Sequence, residues 1–225
     1  MAGYAYQWDW GVVFNAETLH SFGLGVITTA EVSAAGLAIG MAMGLASAVP
    51  RAARVPVLSQ LVHVYVDFFR TTPILVQLIW MFYVLPVLLG INLSAFVAGA
   101  LTIGLNSGAF LSEIFRGGLV SVGQGQWDAA QVLGLGTGQA LLYIVLPQAL
   151  RRVLPALVNV FISVVKDSSL VSIIAVADMT YRAESAVALT YRPFEFYTAL
   201  AVVYFILTYP FSFLASAIER RFHVT

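Results

Sequence analysis

The sequence contains no cysteine and very little charge. Of its 225 residues, 10% are charged and 60% are hydrophobic, and the formal net charge is zero. The missing cysteines exclude disulfides, thiolate catalysis and metal sites with cysteine ligands. Soluble domains carry about 25% charged residues, so this composition indicates a protein that lies in a lipid bilayer. A net charge of zero gives no long-range field that would favour nucleic acid as a partner.

Signals of catalysis, cofactor binding and secretion are missing too. The glycine-rich run at residues 134–138 lacks the Lys-Ser/Thr ending of a phosphate-binding loop. The three histidines stand far apart without the spacing of metal ligands. No basic, apolar and small-residue pattern of a cleaved signal peptide opens the chain. We therefore expect a chain that is not an enzyme, binds no metal and holds no cofactor of its own.

Long uncharged stretches predict five membrane-spanning helices in one transmembrane domain, residues 1–225. About 20 apolar residues are needed to cross the hydrocarbon layer. The predicted spans are residues 18–49, 73–89, 95–116, 153–177 and 197–218. Residues 57–89 are too many for one straight span, and Pro73 predicts a break because proline removes a backbone donor and disfavours helix before it.

The distribution of arginine predicts the orientation. A basic turn at residues 50–56, the loop 117–152 and the tail 219–223 all fall on one side of the predicted spans. Because short basic segments stay in the cytoplasm, we expect a cytoplasmic C-terminus and an N-terminus on the outer side of the membrane. The aromatic, acidic segment 1–17 suits the outer membrane surface, and residues 178–195 are expected to form an outer loop.

Three glycines in the first span repeat every four residues, at Gly36, Gly40 and Gly44. Small residues at this spacing let another helix approach closely. The pattern predicts helix packing.

Charged residues near the cytoplasmic surface come in pairs three residues apart. Asp67 and Arg70 form one pair, and Glu113 and Arg116 the other. Side chains at this spacing share a helix face, so we expect structural ion pairs. Asp67 and Arg70 would pair with each other or with a loop, with a role in gating or substrate contact as the alternative.

Polar residues at membrane depth are the candidates for ligand contact. Lys166 and Asp167 lie well inside the fourth predicted span, where charge is costly, and such residues commonly mark a functional site. Ser168 and Ser169 follow and favour turns over helix, so a broken helix with a free amide end is expected there. Asn106, in the middle of the third span, needs either a neighbouring helix or a polar pathway. A buried ion-pair network remains the alternative for Lys166 and Asp167.

The loop 117–152 combines helix-forming residues with glycines, and it carries a recognisable signature. Asp128-Ala129-Ala130 is followed after three residues by Gly134 and after nine more by Ile144-Val145-Leu146-Pro147. This spacing resembles the Glu-Ala-Ala, Gly, Ile-x-Leu-Pro loop of permease subunits of ABC importers. Trp127 to Leu133 is one candidate for a short helix in this loop, and Gln126 precedes it.

Four further segments resemble the polar amino-acid branch of that family: residues 69–77, 112–118, 146–151 and 166–170. They match its Phe-Arg-Gly-Thr-Pro, Ser-Glu-x-x-Arg-Gly, Leu-Pro-Gln-Ala-x-Arg and Lys-Asp-Thr-Ser-Leu segments. Departures are Asp128 for Glu, Thr71 for Gly and Ser168 for Thr.

The resemblance implies an all-α membrane protein with the fold of ABC type I importer permeases. It would lie in a bacterial inner membrane and form the path of a polar amino acid in an ATP-driven importer. Partners would be two ATP-binding cassette subunits that carry ATP-Mg, a second permease copy or paralogue, and a periplasmic amino-acid-binding protein.

The resemblance also implies residue roles. Gln126, Trp127, Asp128, Ala129, Ala130 and Gly134 would form a coupling helix that docks on the ATPase subunit, with Asp128 capping its helix or meeting a basic partner residue. Asp167 would hold the α-amino group of the cargo, and the Ser168-Ser169 backbone would lie near its α-carboxylate, with Lys166 and Asn106 in the same site.

Two alternatives compete with this interpretation. An ion-coupled secondary carrier would use Lys166-Asp167 as its ion site, but the sequence lacks two hydropathically similar halves. A membrane scaffold subunit would not need charge at mid-depth.

Overall fold

The computed structural model describes residues 6–52 and 56–222, and within them the chain is helical without strands. The helices are α1 (Ala16–Ala52), α2 (Pro56–Thr71), α3 (Ile74–Ile79), α4 (Leu85–Leu89), α5 (Ala95–Ser121), α6 (Gln124–Val132), α7 (Thr137–Ala140), α8 (Leu146–Asp167), α9 (Met179–Thr190) and α10 (Pro193–Phe222). Turns of π-helix join α3 to α4 and α7 to α8, and 3₁₀ helices occur at Trp10–Val12 and Ser168–Ile174. Parts of the predicted N-terminal segment, basic turn and tail, at residues 1–5, 53–55 and 223–225, lie outside the described residues.

Long apolar helices dominate the fold, as predicted. Four segments of the described chain are long and apolar enough to cross a membrane: Ala16–Ala48, Ala95–Ser121, Thr137–Ile174 and Pro193–Ile218. A bent pair, Pro56–Thr71 followed by Ile74–Leu89, makes a fifth if it is counted as one span. The all-α membrane fold is confirmed.

The bend between α2 and α3 is 107° and has a local cause. Pro73 has no backbone N–H, so the carbonyl of Phe69 four residues earlier receives no helical hydrogen bond. The Thr72 N–H and hydroxyl both donate to the Phe68 carbonyl, which closes the last turn of α2. The predicted break at this proline is therefore present.

Helix α5 is the centre of the fold, and α1 packs along it. A Cβ atom added to Gly44 would lie 2.6 Å from Leu111 Cβ, and one added to Gly36 would lie 2.7 Å from Ile103 Cγ2. A Cβ on Gly40 would likewise overlap the Ser107 hydroxyl. The predicted packing role of the three glycines is confirmed, because only a residue without a side chain allows this approach.

Helix α9 corrects the expectation of an outer loop at residues 178–195. The Asp178 carboxylate accepts a hydrogen bond from the Tyr181 N–H, a helix N-cap. Met179 and Ala183 are fully buried against Phe22 and Phe196. The charged residues of this segment suggested a loop, but packing of its buried residues against other helices stabilises a helix.

The N-terminal segment is fastened to the start of α10. Glu195 is fully buried, and it accepts hydrogen bonds from the Tyr6 hydroxyl and from the Asp9 N–H at 3.0 Å. Arg192 lies 3.7 Å from the same carboxylate and donates to the Gln7 carbonyl. A buried carboxylate with these partners holds the segment next to α9 and α10.

Two helices extend further into the predicted loop 117–152 than expected. Helix α5 continues to Ser121 instead of stopping near Arg116, and α8 begins at Leu146 instead of near Val153. Arg152 donates to the Ser121 carbonyl and so ties the two ends together.

Candidate functional site

A polar cavity of about 370 Å³ lies between the α2–α3 bend, α5 and α8. Its lining includes three charged side chains, Arg70, Lys166 and Asp167, and polar groups of Thr72, Asn106, Ser107 and Ser163. The structure thus brings together three of the five predicted substrate-contact residues: Asn106, Lys166 and Asp167. Two cations and one carboxylate face one space.

The end of α8 differs from the expected broken helix with a free amide end. After Asp167 the chain continues as a 3₁₀ helix, and the Ser168 N–H already bonds to the carbonyls of Val164 and Lys166. The Ser168 hydroxyl donates to the Val165 carbonyl, and its side chain is fully buried. Ser168 and Ser169 are absent from the cavity lining. The expectation that their backbone is free for a carboxylate is therefore wrong.

Asn106 finds both of the environments that its sequence position left open. Its Nδ2 atom donates to the Phe69 carbonyl at 2.9 Å and to Gln77 Oε1 at 3.2 Å. It also lines the cavity. Asn106 therefore both bonds to neighbouring segments and faces the cavity.

Asp67 and Arg70 do not form the expected ion pair. Within the described residues no salt bridge joins them, and both side chains are exposed. The Arg70 guanidinium instead lies over the Phe110 ring, 5.5 Å from its centre, a cation–π distance. Arg70 thereby belongs to the cavity wall.

Glu113 and Arg116 do form their ion pair, and the structure adds a third member. Arg116 donates twice to Glu113 Oε2, at 2.9 and 3.1 Å. Arg51, near the end of α1, approaches Glu113 Oε1 to 2.6 Å and keeps only 5% of its side chain exposed. One carboxylate therefore joins the C-terminal part of α1 to α5.

The predicted coupling helix is α6, and glycine ends it as expected. Gly134 adopts a positive φ of 76°; its N–H bonds to the Gln131 carbonyl, and the Leu135 N–H bonds to the Ala130 carbonyl. These two bonds are those of a Schellman motif, which satisfies the last carbonyls of a helix. Asp128 does not cap α6, because Gly123 is the N-cap and Asp128 is the fifth helical residue. Its carboxylate accepts from Gln124 Nε2 at 3.1 Å instead.

The two faces of α6 differ in exposure. Ala130 is fully buried, and Trp127 packs on the cluster of Val122, Val145 and Ala149. Gln126, Asp128 and Ala129 are exposed, and Val132 and Leu133 expose 87% and 74% of their surface. Gln148 of α8 donates to Gln126 at 3.1 Å. The buried face fixes α6 to α8, and the other face is open.

Sequence reasoning missed several residues that the structure places in these sites. Gln77 is the one amide in an apolar stretch, a signal that could have identified it. Val132 and Leu133 end a short polar helix with apolar side chains, which is also visible in the sequence. Arg51 and Ser163 gave no such signal, because their partners are distant in the chain.

Comparison with known proteins gives concordant matches over nearly the whole chain. A sequence profile for binding-protein-dependent transport system inner membrane components matches residues 19–224. The glutamine transport system permease protein of Escherichia coli is 35% identical over 219 residues, which cover 97% of this chain and 99% of that protein. The L-cystine transport system permease protein of Bacillus subtilis is 39% identical over 191 residues, which cover 82% and 80%.

Solved structures agree. The crystal structure of an amino acid ABC transporter with histidines superposes with a TM-score of 0.88 at 36% identity, covering 96% of this chain and 100% of that chain. An inward-facing MetNI methionine ABC transporter gives a TM-score of 0.77 at 20% identity, covering 93% and 99%, a likeness of fold alone.

Proposed function

Since this chain belongs to the family of binding-protein-dependent transport system inner membrane components, as a permease subunit of an amino-acid ABC importer, we propose that its cargo passes through the cavity between α2, α3, α5 and α8. The cargo would be a polar amino acid, as in the glutamine and cystine permeases named above. Neither an ion-coupled carrier nor a scaffold is favoured by this family.

The charge pattern of the cavity supports this proposal. A free amino acid carries an ammonium and a carboxylate at neutral pH. Asp167 offers a carboxylate to the first group, and Lys166 and Arg70 offer cations to the second. With the Ser168 N–H bonded inside its helix, these two cations take the place of the backbone amides that the sequence suggested.

The open face of α6 is proposed to dock on a separate ATP-binding subunit. It presents Gln126, Asp128 and Ala129 beside the apolar side chains of Val132 and Leu133. Exposed apolar groups rimmed by polar ones are typical of a protein interface. ATP and Mg²⁺ would stay on that partner and supply the energy.

Helix α8 is proposed to carry movement from α6 to the cavity. It has 22 residues and is therefore roughly 33 Å long. Its first turn bonds to α6 through Gln148 and Gln126, and its last turn carries Lys166 and Asp167. A continuous helix with these two ends can move the charged wall when the ATPase subunit moves α6.

The complete assembly would contain two ATP-binding subunits, a second permease copy or paralogue, and a periplasmic amino-acid-binding protein. The chain would cross a bacterial inner membrane with its N-terminus in the periplasm. The α9 side would then face the binding protein.

A single substitution on the open face of α6 tests the coupling. Ala129→Arg places a long cation where a small side chain allows close approach, so ATP-driven uptake by the reconstituted complex should fall by at least about tenfold, the loss expected from a disrupted interface. Ala129→Ser is the matched control and should retain uptake. Uptake and ATP hydrolysis are measured in proteoliposomes with L-glutamine and the binding protein. Undiminished uptake in Ala129→Arg, or uptake without ATP, would contradict the proposal.

A further inference from the structure

The bend at Pro73 leaves a backbone carbonyl that needs donors. Without an N–H at Pro73, the carbonyl of Phe69 receives no helical bond. Two side-chain amides reach it instead: Gln77 Nε2 at 3.0 Å and Asn106 Nδ2 at 2.9 Å. Both donors come from helices that surround the cavity, so the bend and the cavity share one hydrogen-bond network.

The orientation of the Gln77 amide is fixed by what it meets. Its Nε2 atom also lies 3.0 Å from the Thr72 carbonyl and 2.8 Å from the Thr72 hydroxyl. Backbone carbonyls only accept hydrogen bonds, so the nitrogen of Gln77 faces the bend and its oxygen faces away. That oxygen accepts from Asn106 at 3.2 Å.

The same count of donors and acceptors fixes the orientation of the Asn106 amide. Its NH₂ group has two hydrogens, and the Phe69 carbonyl and Gln77 Oε1 take both. Its Oδ1 atom accepts no hydrogen bond from any residue in the described part of the chain. Since Asn106 lines the cavity, the free group that it shows there is an acceptor.

We propose that Asn106 is a specificity-determining residue that presents only its carbonyl oxygen to the cargo, and that Gln77 is the positioning residue that holds it so. On the proposed function, on which this inference rests, Asn106 and Asp167 together bind the α-ammonium group. Lys166 and Arg70 bind the α-carboxylate. Asn106 therefore favours cargo that carries an N–H donor at this position over molecules that lack one.

The first test needs no cargo. Gln77→Glu keeps the size of the side chain, but its carboxyl can donate to the bend only while it is protonated. The melting temperature of the transporter complex, relative to wild type, should therefore drop further at pH about 9 than at pH about 5.5, because the ionised carboxylate has no hydrogen to donate to the bend. An equal deficit at both pH values, or none, would overturn the assigned orientation.

The second test asks which end of the cargo Asn106 meets. Binding to the complex in nanodiscs is compared for L-glutamine, for glutaramic acid, which lacks the ammonium, and for 4-aminobutanamide, which lacks the carboxylate. Asn106→Leu should reduce the preference for L-glutamine over glutaramic acid about tenfold, the value of a hydrogen bond to a charged group. The preference over 4-aminobutanamide should not change.

Thr102→Val is the control for packing of α5, because Thr102 is buried one turn away and its hydroxyl bonds to the Ala98 carbonyl. It should leave both preferences unchanged. If Asn106→Leu instead reduces only the preference over 4-aminobutanamide, or neither preference, the inference is wrong. Failure of the wild-type complex to bind L-glutamine or either analogue would count against the proposed cargo site, while the Gln77→Glu measurement still decides the orientation.

Discussion

At the start of α9, Asp178 keeps a carboxyl group out of solvent. One oxygen accepts from the Tyr181 N–H at 2.8 Å, and the other has no hydrogen-bond partner among the described residues. Burial raises the pKa of Asp178 to about 6, and the nearby Glu184 carboxylate adds to the rise, while the Tyr181 hydrogen bond and the nearby polar groups of Thr180 oppose it. The native structure therefore favours the protonated form of this side chain.

Stability should depend on this proton. An aspartate in an unfolded chain has a pKa of about 3.9, so the native state binds the proton more tightly. The free energy of unfolding should consequently fall as pH rises from about 4 to about 6, and level off above that.

Asp178→Asn should remove this dependence. Asparagine keeps the helix cap and cannot ionise, so the variant should melt at a higher temperature than wild type at pH 7. Asp178→Ala, which loses the cap, should melt lower than Asp178→Asn at every pH. Thermal unfolding in detergent between pH 4 and 7.5 measures all three proteins. A variant Asp178→Asn whose melting temperature parallels that of wild type across this range would refute the assignment.

Single residues show how far sequence reasoning reaches. The spacing of Glu113 and Arg116 predicted their ion pair, because residues three apart meet on any helix. The same spacing failed for Asp67 and Arg70, since Phe110 on another helix attracts the guanidinium. Arg51 lies 2.6 Å from Glu113 but far away in the chain, so local pattern could not find it.

Between elements, the approach of α1 to α5 depends on glycine. Gly44→Ala would place a Cβ 2.6 Å from Leu111 Cβ and 3.3 Å from the Gly108 carbonyl, atoms that cannot move without their backbone. We expect a loss of about 1–3 kcal/mol, the usual cost of overpacking.

The control lies in the same helix. Gly23 has no atom within 4 Å of an added Cβ, so Gly23→Ala should be neutral or stabilise α1 by up to about 1 kcal/mol, the difference in helix propensity. Thermal unfolding of the two variants measures both values. Equal melting temperatures would mean that the glycine face does not set the helix distance.

Structural features that one residue imposes on its own backbone were predictable from the sequence. Pro73 predicted the bend, and Gly134 predicted the end of α6, because both residues act on their own backbone. Helix α9 was not, since Arg182 and Glu184 suggest a loop and the helix is stabilised by Phe22 and Phe196 from elsewhere in the chain. The cavity was partly predicted, because Asn106, Lys166 and Asp167 were expected near the cargo. The lining residues Thr72, Ser107 and Ser163 were not expected, and Arg70 was given this role only as an alternative.

Across the whole molecule, the charged cavity and the open face of α6, which we propose docks on an ATP-binding subunit, occupy opposite ends of α8. The Gln148–Gln126 bond fixes one end to α6, and Lys166 and Asp167 lie at the other. In the proposed mechanism, the cavity opens and closes with the state of the ATPase subunit. On the proposed function, cargo occupies this cavity during transport.

The absence of cysteine makes that claim directly measurable, because one introduced thiol labels a single site on this chain. Ser163 lines the cavity and is exposed to it. Ser163→Cys in the reconstituted importer should react with a charged methanethiosulfonate reagent, and saturating L-glutamine should slow that reaction several-fold. Ser185→Cys, in a separate cavity of about 380 Å³ between α1 and α9, should react at a rate that L-glutamine leaves unchanged. If cargo leaves the labelling of Ser163→Cys unchanged in an importer that still transports it, the cargo path does not run through this cavity.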